Sequence, residues 1–154
     1  MTSRTTGQRF PLILLLGSLA LLATGCSPAT KVVGTWDIDS SKPIPNELFE
    51  ANPLLGAMLA LSKPQFQATF AGDGAFTLKF AAGQIKLEKK GSWRFVKLEG
   101  QTLLLMIKEA GKTEENELRF TPVDNEHAEM KIILDVPGGK QITPSFSFVK
   151  QKPS

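Results

Sequence analysis

Few residues of this 154-residue chain have a type and spacing that could do chemistry. The single histidine, His127, lies beside Glu126 and Glu129, where an imidazole among carboxylates could serve as an acid–base pair or hold a metal ion. A lone turn imidazole is far short of a ligand set, so a solvated turn histidine is expected. Asp37 and Asp39 fall on one face of a strand and could hold a cation weakly, but with Lys42 nearby a solvated edge is the simpler expectation. Ser40-Ser41 and the C-terminal serines lack the Gly-x-Ser-x-Gly elbow that exposes a nucleophile. Gly72 and Gly74 flank a turn with no helix behind it, so they form no phosphate cradle. Cys26 is the only cysteine, which excludes an internal disulfide and Cys-x-x-Cys redox chemistry. No catalytic residue, metal ligand or cofactor is expected, and the chain is read as a non-enzyme.

Cys26 has a different chemistry available. The first ten residues hold Arg4 and Arg9 and no acid, and Phe10 to Ala23 is apolar apart from Gly17 and Ser18. That order is the n-region and h-region of an export signal; the run is shorter than the roughly 18 apolar residues of a spanning helix. Ala23, Thr24 and Gly25 then lead to Cys26, and this stretch resembles the lipobox of bacterial lipoproteins, with Ala23 standing where that family prefers leucine. The resemblance implies a diacylglyceryl group on the Cys26 sulfur and cleavage after Gly25. Residues 1–25 are then a signal peptide and 26–31 the lipidated cysteine with a short tether, which reaches about 17 Å when extended. Two or more acyl chains hold a protein stably to a bilayer. The implied partner is a membrane and the implied location the bacterial cell envelope. Ser27 resembles the residue that permits transfer to the outer membrane, which is therefore favoured.

The signal also carries two of the 18 basic residues and none of the 15 acidic ones, so the remainder is nearly neutral, with 16 basic against 15 acidic. Its charges are interspersed, without the basic stripe of a nucleic-acid binder. No nucleic-acid partner is expected.

The elements that would position any site are strands. From Val32 onward, apolar residues alternate in runs separated by turn residues, the pattern of an antiparallel sandwich or barrel. Inward sets are Gly34, Trp36 and Ile38; Phe66, Ala68 and Phe70; Phe76, Leu78 and Phe80; Ile85 and Leu87 with Trp93 and Phe95 beyond Gly91; Leu103, Leu105 and Ile107; Leu118 and Phe120; Met130, Ile132, Leu134 and Val136; Ile142, Phe146 and Phe148. Asp73-Gly74 supplies the positive φ of a tight hairpin, and Asp124-Asn125 and Pro137-Gly138-Gly139-Lys140 mark further turns. The count is eight strands, or nine if Gly91 divides one; the last two runs, Ala128–Val136 and Ile142–Lys150, each read as one strand. Leu104 and Met106 lie on the outward parity of their strand.

One segment, Asn46–Leu61, reads as helix (insertion 46–62), with Asn46 able to cap its start and Asn52-Pro53 as a second cap followed by proline at the first helical position. Leu54, Leu55, Met58, Leu59 and Leu61 cover most of its circumference, and such a helix is expected to be buried, packed on one barrel mouth. A mobile lid and a bilayer-touching patch are the alternatives.

Gly34-Thr35-Trp36 on the first strand, a helical insertion, and meandering hairpins through residues 32–150 resemble the small lipocalin-like lipoproteins of bacteria, of the calycin type. Gly91-Ser92-Trp93 resembles the Gly-x-Trp strand start of such sequences; the late arginine motif of lipocalins is not recognisable. The resemblance implies an all-β meander closing into a barrel of about eight strands, with Trp36 packed across its closed end. Such a barrel is filled by its own side chains or holds one small ligand, and either interior fits this sequence. The candidate ligand-binding residues are Trp36, Phe66, Phe70, Phe76, Phe80, Trp93, Phe95, Phe146 and Phe148. With ten phenylalanines and no tyrosine in the chain, an occupant would be apolar, such as an acyl chain. The expected function is a membrane-anchored lipoprotein whose barrel binds a small apolar ligand. The alternative is a structural envelope lipoprotein with a filled barrel and a protein partner.

Overall fold

The computed structural model describes residues 27–136 and 139–152; the expected signal peptide and Cys26 lie outside the described residues, as does the Pro137-Gly138 half of the last turn. A short 3-10 turn, Pro28–Lys31, leads into β1 (Gly34–Ile38). Two helices follow, α1 (Asn46–Ala51) and α2 (Pro53–Ser62), and then β2 (Gln65–Phe70), β3 (Ala75–Ala82), β4 (Ile85–Glu99), β5 (Thr102–Glu109), β6 (Glu115–Pro122) and β7 (His127–Ile132). A small hairpin of β8 (Leu134–Val136) and β9 (Lys140–Ile142) precedes β10 (Ser145–Lys150).

Eight of these strands close into an antiparallel barrel in the order β1-β10-β7-β6-β5-β4-β3-β2, with β2 returning to β1. The expected all-β barrel with a helical insertion after the first strand is therefore present. Each expected strand run from Ala128 and from Ile142 is, however, two strands. The chain leaves the barrel after Ile132, forms the β8–β9 hairpin, and rejoins at Ser145. Pro144 helps divide the second run, because proline has no N–H for the ladder; its carbonyl instead accepts from the Ile132 amide at 3.3 Å.

Gly91 does not divide β4. It sits where one strand changes partners: Gly91 and Ser92 pair with Phe76 and Ala75 on one side and with Glu109 and Lys108 on the other. A Cβ at Gly91 would lie 1.9 Å from the Lys108 carbonyl oxygen, so the absence of a side chain is what lets the two backbones approach. Further along β4 the register with β5 slips between Phe95 and Lys97, a bulge at Val96 that adds local twist.

The strands alternate in direction, which assigns the connections to two ends. The chain entry, the β2–β3, β4–β5 and β6–β7 turns and the C-terminus lie at one end, called lower here. The helices, the β3–β4 and β5–β6 turns and the β8–β9 hairpin lie at the upper end. The lower half is filled. Val32, Trp36, Phe70, Phe76, Trp93, Leu103, Leu105, Leu118, Phe120, Met130 and Phe148 form one buried cluster with Ala68 and Ala128. Trp36 crosses this end: its ring meets Phe120 edge-on at 5.1 Å, its Nε1 donates to the Val32 carbonyl at 2.8 Å, and Lys150 Nζ lies 5.2 Å from its centroid. Pro28–Lys31 is turned rather than extended, with Ala29 packed against the cluster, so the tether reaches less far than an extended chain would.

The helical insertion departs from expectation in two ways. Pro45 occupies the position before α1 and makes no side-chain cap; Asn46, the expected cap, is already inside the helix. Proline at that boundary places Asn46 one position too late to cap. The break at Asn52 and the start of α2 at Pro53 are as the Asn-Pro step requires. α2 is also not buried all round: Leu54, Met58 and Leu61 are exposed. Only the other side is covered, because Gly56 packs against Phe49 of α1 and Leu59 joins a small cluster with Leu48, Ile44, Ile142 and Phe146. The helices therefore lean on the β8–β9 side of the upper end. Leu104, expected as outward apolar surface, is buried between Lys97 and Arg119 of the flanking strands, and Met106 is half-buried. Long basic side chains cover apolar neighbours with their methylene stems, so this strand offers no free apolar face.

Candidate ligand-binding site

The upper half of the barrel differs from the lower. In an antiparallel ladder, directly opposed residues share a face, so Phe66, Phe80 and Leu87 form an inward row across β2, β3 and β4. Ile38 continues it on β1, two residues beyond the Trp36–Ala68 pair. The row is apolar, yet Ile38, Phe66 and Phe80 are only half-buried and Leu87 is 55% exposed. Apolar inward positions exposed to this degree mark a barrel that opens rather than one closed by its own side chains. An open cleft of about 910 Å³ runs along this rim and draws its lining from both faces of the sheet: the inward row, and from the outward parity of the same strands Asp37, Gln67, Lys79, Ala81, Lys86 and Glu88, with Lys63, Pro64 and Gln151 beside them. A second hollow of about 470 Å³ lies between the helices and the tops of β1 and β10, sharing Ile38, Ser40, Lys63 and Pro64 with the first. Both have the dimensions of small-ligand sites.

The nine aromatic residues expected to meet a ligand divide between the two halves. Trp36, Phe70, Phe76, Trp93 and Phe148 are buried in the filled cluster. Phe70 alone touches Phe76, Trp93 and Phe120 at centroid distances of 5.3, 5.6 and 6.4 Å, and the Trp93 indole donates to the Ala71 carbonyl at 3.0 Å. Phe66, Phe95 and Phe146 pack half-buried against that cluster. Phe66 is the junction: it contacts Phe148, the cross-strand partner of Ile38, at 5.4 Å and Phe80 and Phe146 at 6.4 Å each. Of the nine, Phe66 and Phe80 line the cleft and Phe146 the second hollow. Leu87 and Ile38 were legible as inward residues but not as lining. The signal was the turn length: Gly83-Gln84 between β3 and β4 puts Leu87 directly opposite Phe80.

Electrostatics separate the two sides of the upper end. On the β4–β5 side, Glu109 accepts from Lys89 and Lys112, each at 3.2 Å, and its carboxyl is held below the usual range, first by the Lys89 hydrogen bond and then by Lys112. On the cleft side, Asp37 is engaged by Gln67 at 2.9 Å and by Gln151. Asp39 turns onto Ser41, whose hydroxyl and amide donate at 2.6 and 3.0 Å and lower its pKa. These two carboxylates therefore satisfy themselves locally and do not converge on a cation.

His127 meets Asp124, a partner three residues back, at 2.8 Å. Asp124 also accepts from the amides of Glu126 and His127 at 2.7 Å each, so the pair closes the β6–β7 turn. It stands exposed at the lower end, away from the cleft. Among the described residues no group of three or more His, Cys, Asp or Glu side chains is placed to hold a metal ion. Among them, too, no helix is long and apolar enough to cross a membrane.

Fold and cleft together define the class: an eight-stranded, antiparallel, closed barrel of calycin-like form, filled at one end and with an open cleft along the rim of the other. Compared with known proteins, the chain shows no significant match to a family model, to a curated protein or to a solved structure.

Proposed function

We propose that this chain is a lipid-anchored protein of the bacterial envelope whose barrel takes up a small apolar ligand at its upper rim. The observation that carries the ligand reading is the half-exposed row Ile38, Phe66, Phe80 and Leu87 lining a cleft of about 910 Å³. Leaving such side chains wet forgoes roughly 25 cal/mol for each Å² of apolar surface that a ligand would cover. Anchoring through Cys26 rests on the signal-like residues 1–25 and the lipobox resemblance. Ser27 lies at the lower end, immediately after that cysteine, so an acylated Cys26 would set the filled end toward the bilayer. The cleft and the helices would then face away from it. The protein acts in this reading as a carrier or sensor and not as an enzyme.

Two measurements test it. Native mass spectrometry of the full chain, released from bacterial membranes in mild detergent and incubated with decanol, should show a stoichiometric adduct; a clean unliganded mass would remove the ligand reading. Cys26→Ser should move the protein from the membrane to the soluble fraction, and unchanged membrane retention would remove the anchor. A structural lipoprotein with a protein partner is the second reading, favoured by the exposure of Leu54, Met58 and Leu61 on α2. Photocrosslinking from position 58 that recovers one envelope protein would favour it.

A further inference from the structure

The exposed large apolar side chains fall toward opposite ends of the barrel: Leu54, Met58, Leu61 and Leu87 above, Val96, Leu98 and Val123 below. Leu98 stands just before the β4–β5 turn and Val123 just after β6, with exposures of 49% and 65%. Only β5 lies between their strands: Leu98 pairs with Leu103 and Leu103 with Phe120, the Thr102 and Thr121 hydroxyls are 2.8 Å apart, and Arg119 of β6 reaches Glu99 of β4 at 3.6 Å. The carboxylates in and next to these two turns are paired, Glu99 with Lys97 at 2.6 Å, Asp124 with His127 at 2.8 Å and Glu126 with Lys152 at 3.6 Å. At the upper end, by contrast, Glu47 and Glu50 of α1 stand exposed and make no ion pair among the described residues. The chain enters at the lower end without slack. Ala29 packs on the buried cluster, Val32 is fully buried, and the Ser27 carbonyl accepts from the Thr30 amide at 2.9 Å. Cys26 is one peptide unit from Ser27, a step of about 4 Å.

We propose, building on the anchor reading above, that the β4–β5 and β6–β7 turns are a bilayer-docking surface, with Leu98 and Val123 set into the lipid interface beside the acylated cysteine. An acyl chain holds Cys26 at the membrane, and a chain tied down from Ser27 onward leaves no spacer to lift the barrel away. The side chains that then meet lipid are those exposed at the lower end, and burying them there is favourable. Paired carboxylates spare this end the repulsion that an anionic lipid surface exerts on free acids. The apolar face of α2 lies at the far end, next to two unpaired acids, and is not the membrane contact.

The test uses the full chain, released from bacterial membranes in mild detergent and returned to phosphatidylethanolamine–phosphatidylglycerol vesicles that carry a doxyl-labelled lipid as quencher. Leu98→Cys, Val123→Cys and Met58→Cys, all at exposed positions, each take one thiol-reactive fluorophore; a Cys26 sulfur bonded to diacylglyceryl takes none. The lipid quencher should dim the labels at 98 and 123, and aqueous iodide should lose its effect on them, while the label at 58 responds to iodide alone. Protein that stays on the vesicles with the label at 98 or 123 still open to iodide, or with the label at 58 dimmed by lipid, overturns this inference and leaves the anchor reading standing. Parent protein that leaves the vesicles, or whose own thiol takes the fluorophore, overturns both.

Discussion

Trp36 offers the most demanding test of the filled lower end. The ring is 1% exposed, meets Phe120 edge-on at 5.1 Å, and donates to the Val32 carbonyl at 2.8 Å. Replacing it with alanine deletes a large buried ring from a cluster that other side chains cannot refill, which costs about 3–5 kcal/mol. Val32 is itself fully buried, so its carbonyl would lose its partner where water has little access, a further cost of about 1–3 kcal/mol. The sum, about 4–8 kcal/mol, rivals the roughly 5–15 kcal/mol total stability of a typical domain, and Trp36→Ala should be largely unfolded or close to it. Trp36→Phe separates the two contributions. It keeps most of the ring and removes the donor, so its cost should fall near about 1–3 kcal/mol. Urea unfolding followed by circular dichroism measures both, with Trp93 as an independent fluorescence reporter in each variant. Phe80→Ala, a half-buried site at the rim, is the internal control and should cost clearly less than Trp36→Ala. If Trp36→Ala cost under about 1 kcal/mol, or no more than Phe80→Ala, the lower end would not be the packed half of the barrel.

Three further outcomes follow from particular contacts. Gly91→Ala places a Cβ 1.9 Å from the Lys108 carbonyl oxygen and should cost about 3 kcal/mol or more, measured by urea midpoint, whereas Gly111→Ala, with open space around it but a positive φ of 81°, should cost about 1 kcal/mol. Acid should weaken the fold: Asp39, Glu99, Glu109, Glu115 and Asp124 have pKa values lowered from 3.8 or 4.5, chiefly by hydrogen bonds, so the unfolded chain binds these protons first. The stability they contribute is present above about pH 4.5 and lost as pH falls through the lowered values, and a urea midpoint unchanged down to pH 3 would contradict this. Arg94→Met removes the forked pair with Glu115, at 2.6 and 3.1 Å but exposed, and should change the thermal midpoint by no more than a degree or two.

The barrel was legible from period-two alternation because a strand that buries one face must place its apolar residues at every second position. Trp36, Phe70, Phe120 and Phe148 are where that rule puts them. The β8–β9 hairpin was not legible, since the parity of apolar residues runs unbroken through Ile132 and Leu134 while the hydrogen-bond partner changes. Burial of Leu104 was equally hidden: its direct cross-strand neighbours are Lys97 and Arg119, a juxtaposition that no local pattern records. The helix was legible in position and in its break at Asn52, but hydrophobicity all round α2 pointed to burial that the rim does not supply.

The candidate site was only partly legible. Aromatic content marks inward faces without saying at which height along the barrel each ring sits, so five buried rings and two cleft-lining ones carried the same signal. Height is set by register, through pairs such as Phe80 with Leu87 and Phe66 with Phe80, and register depends on turn geometry. The alternation that marks Phe80 and Leu87 as inward puts Lys79, Lys86 and Glu88 on the outward parity of the same strands, and it does not tell which of them stand beside the cleft.

Chemical-shift mapping of the isotope-labelled protein titrated with decanol tests most directly whether one barrel end is solid and the other receptive. Saturable shifts should centre on Ile38, Phe66, Phe80 and Leu87 and leave Leu105, Phe120 and Met130 in place. Shifts centred on those three deep residues, or a spectrum that ignores the alcohol, would contradict that division.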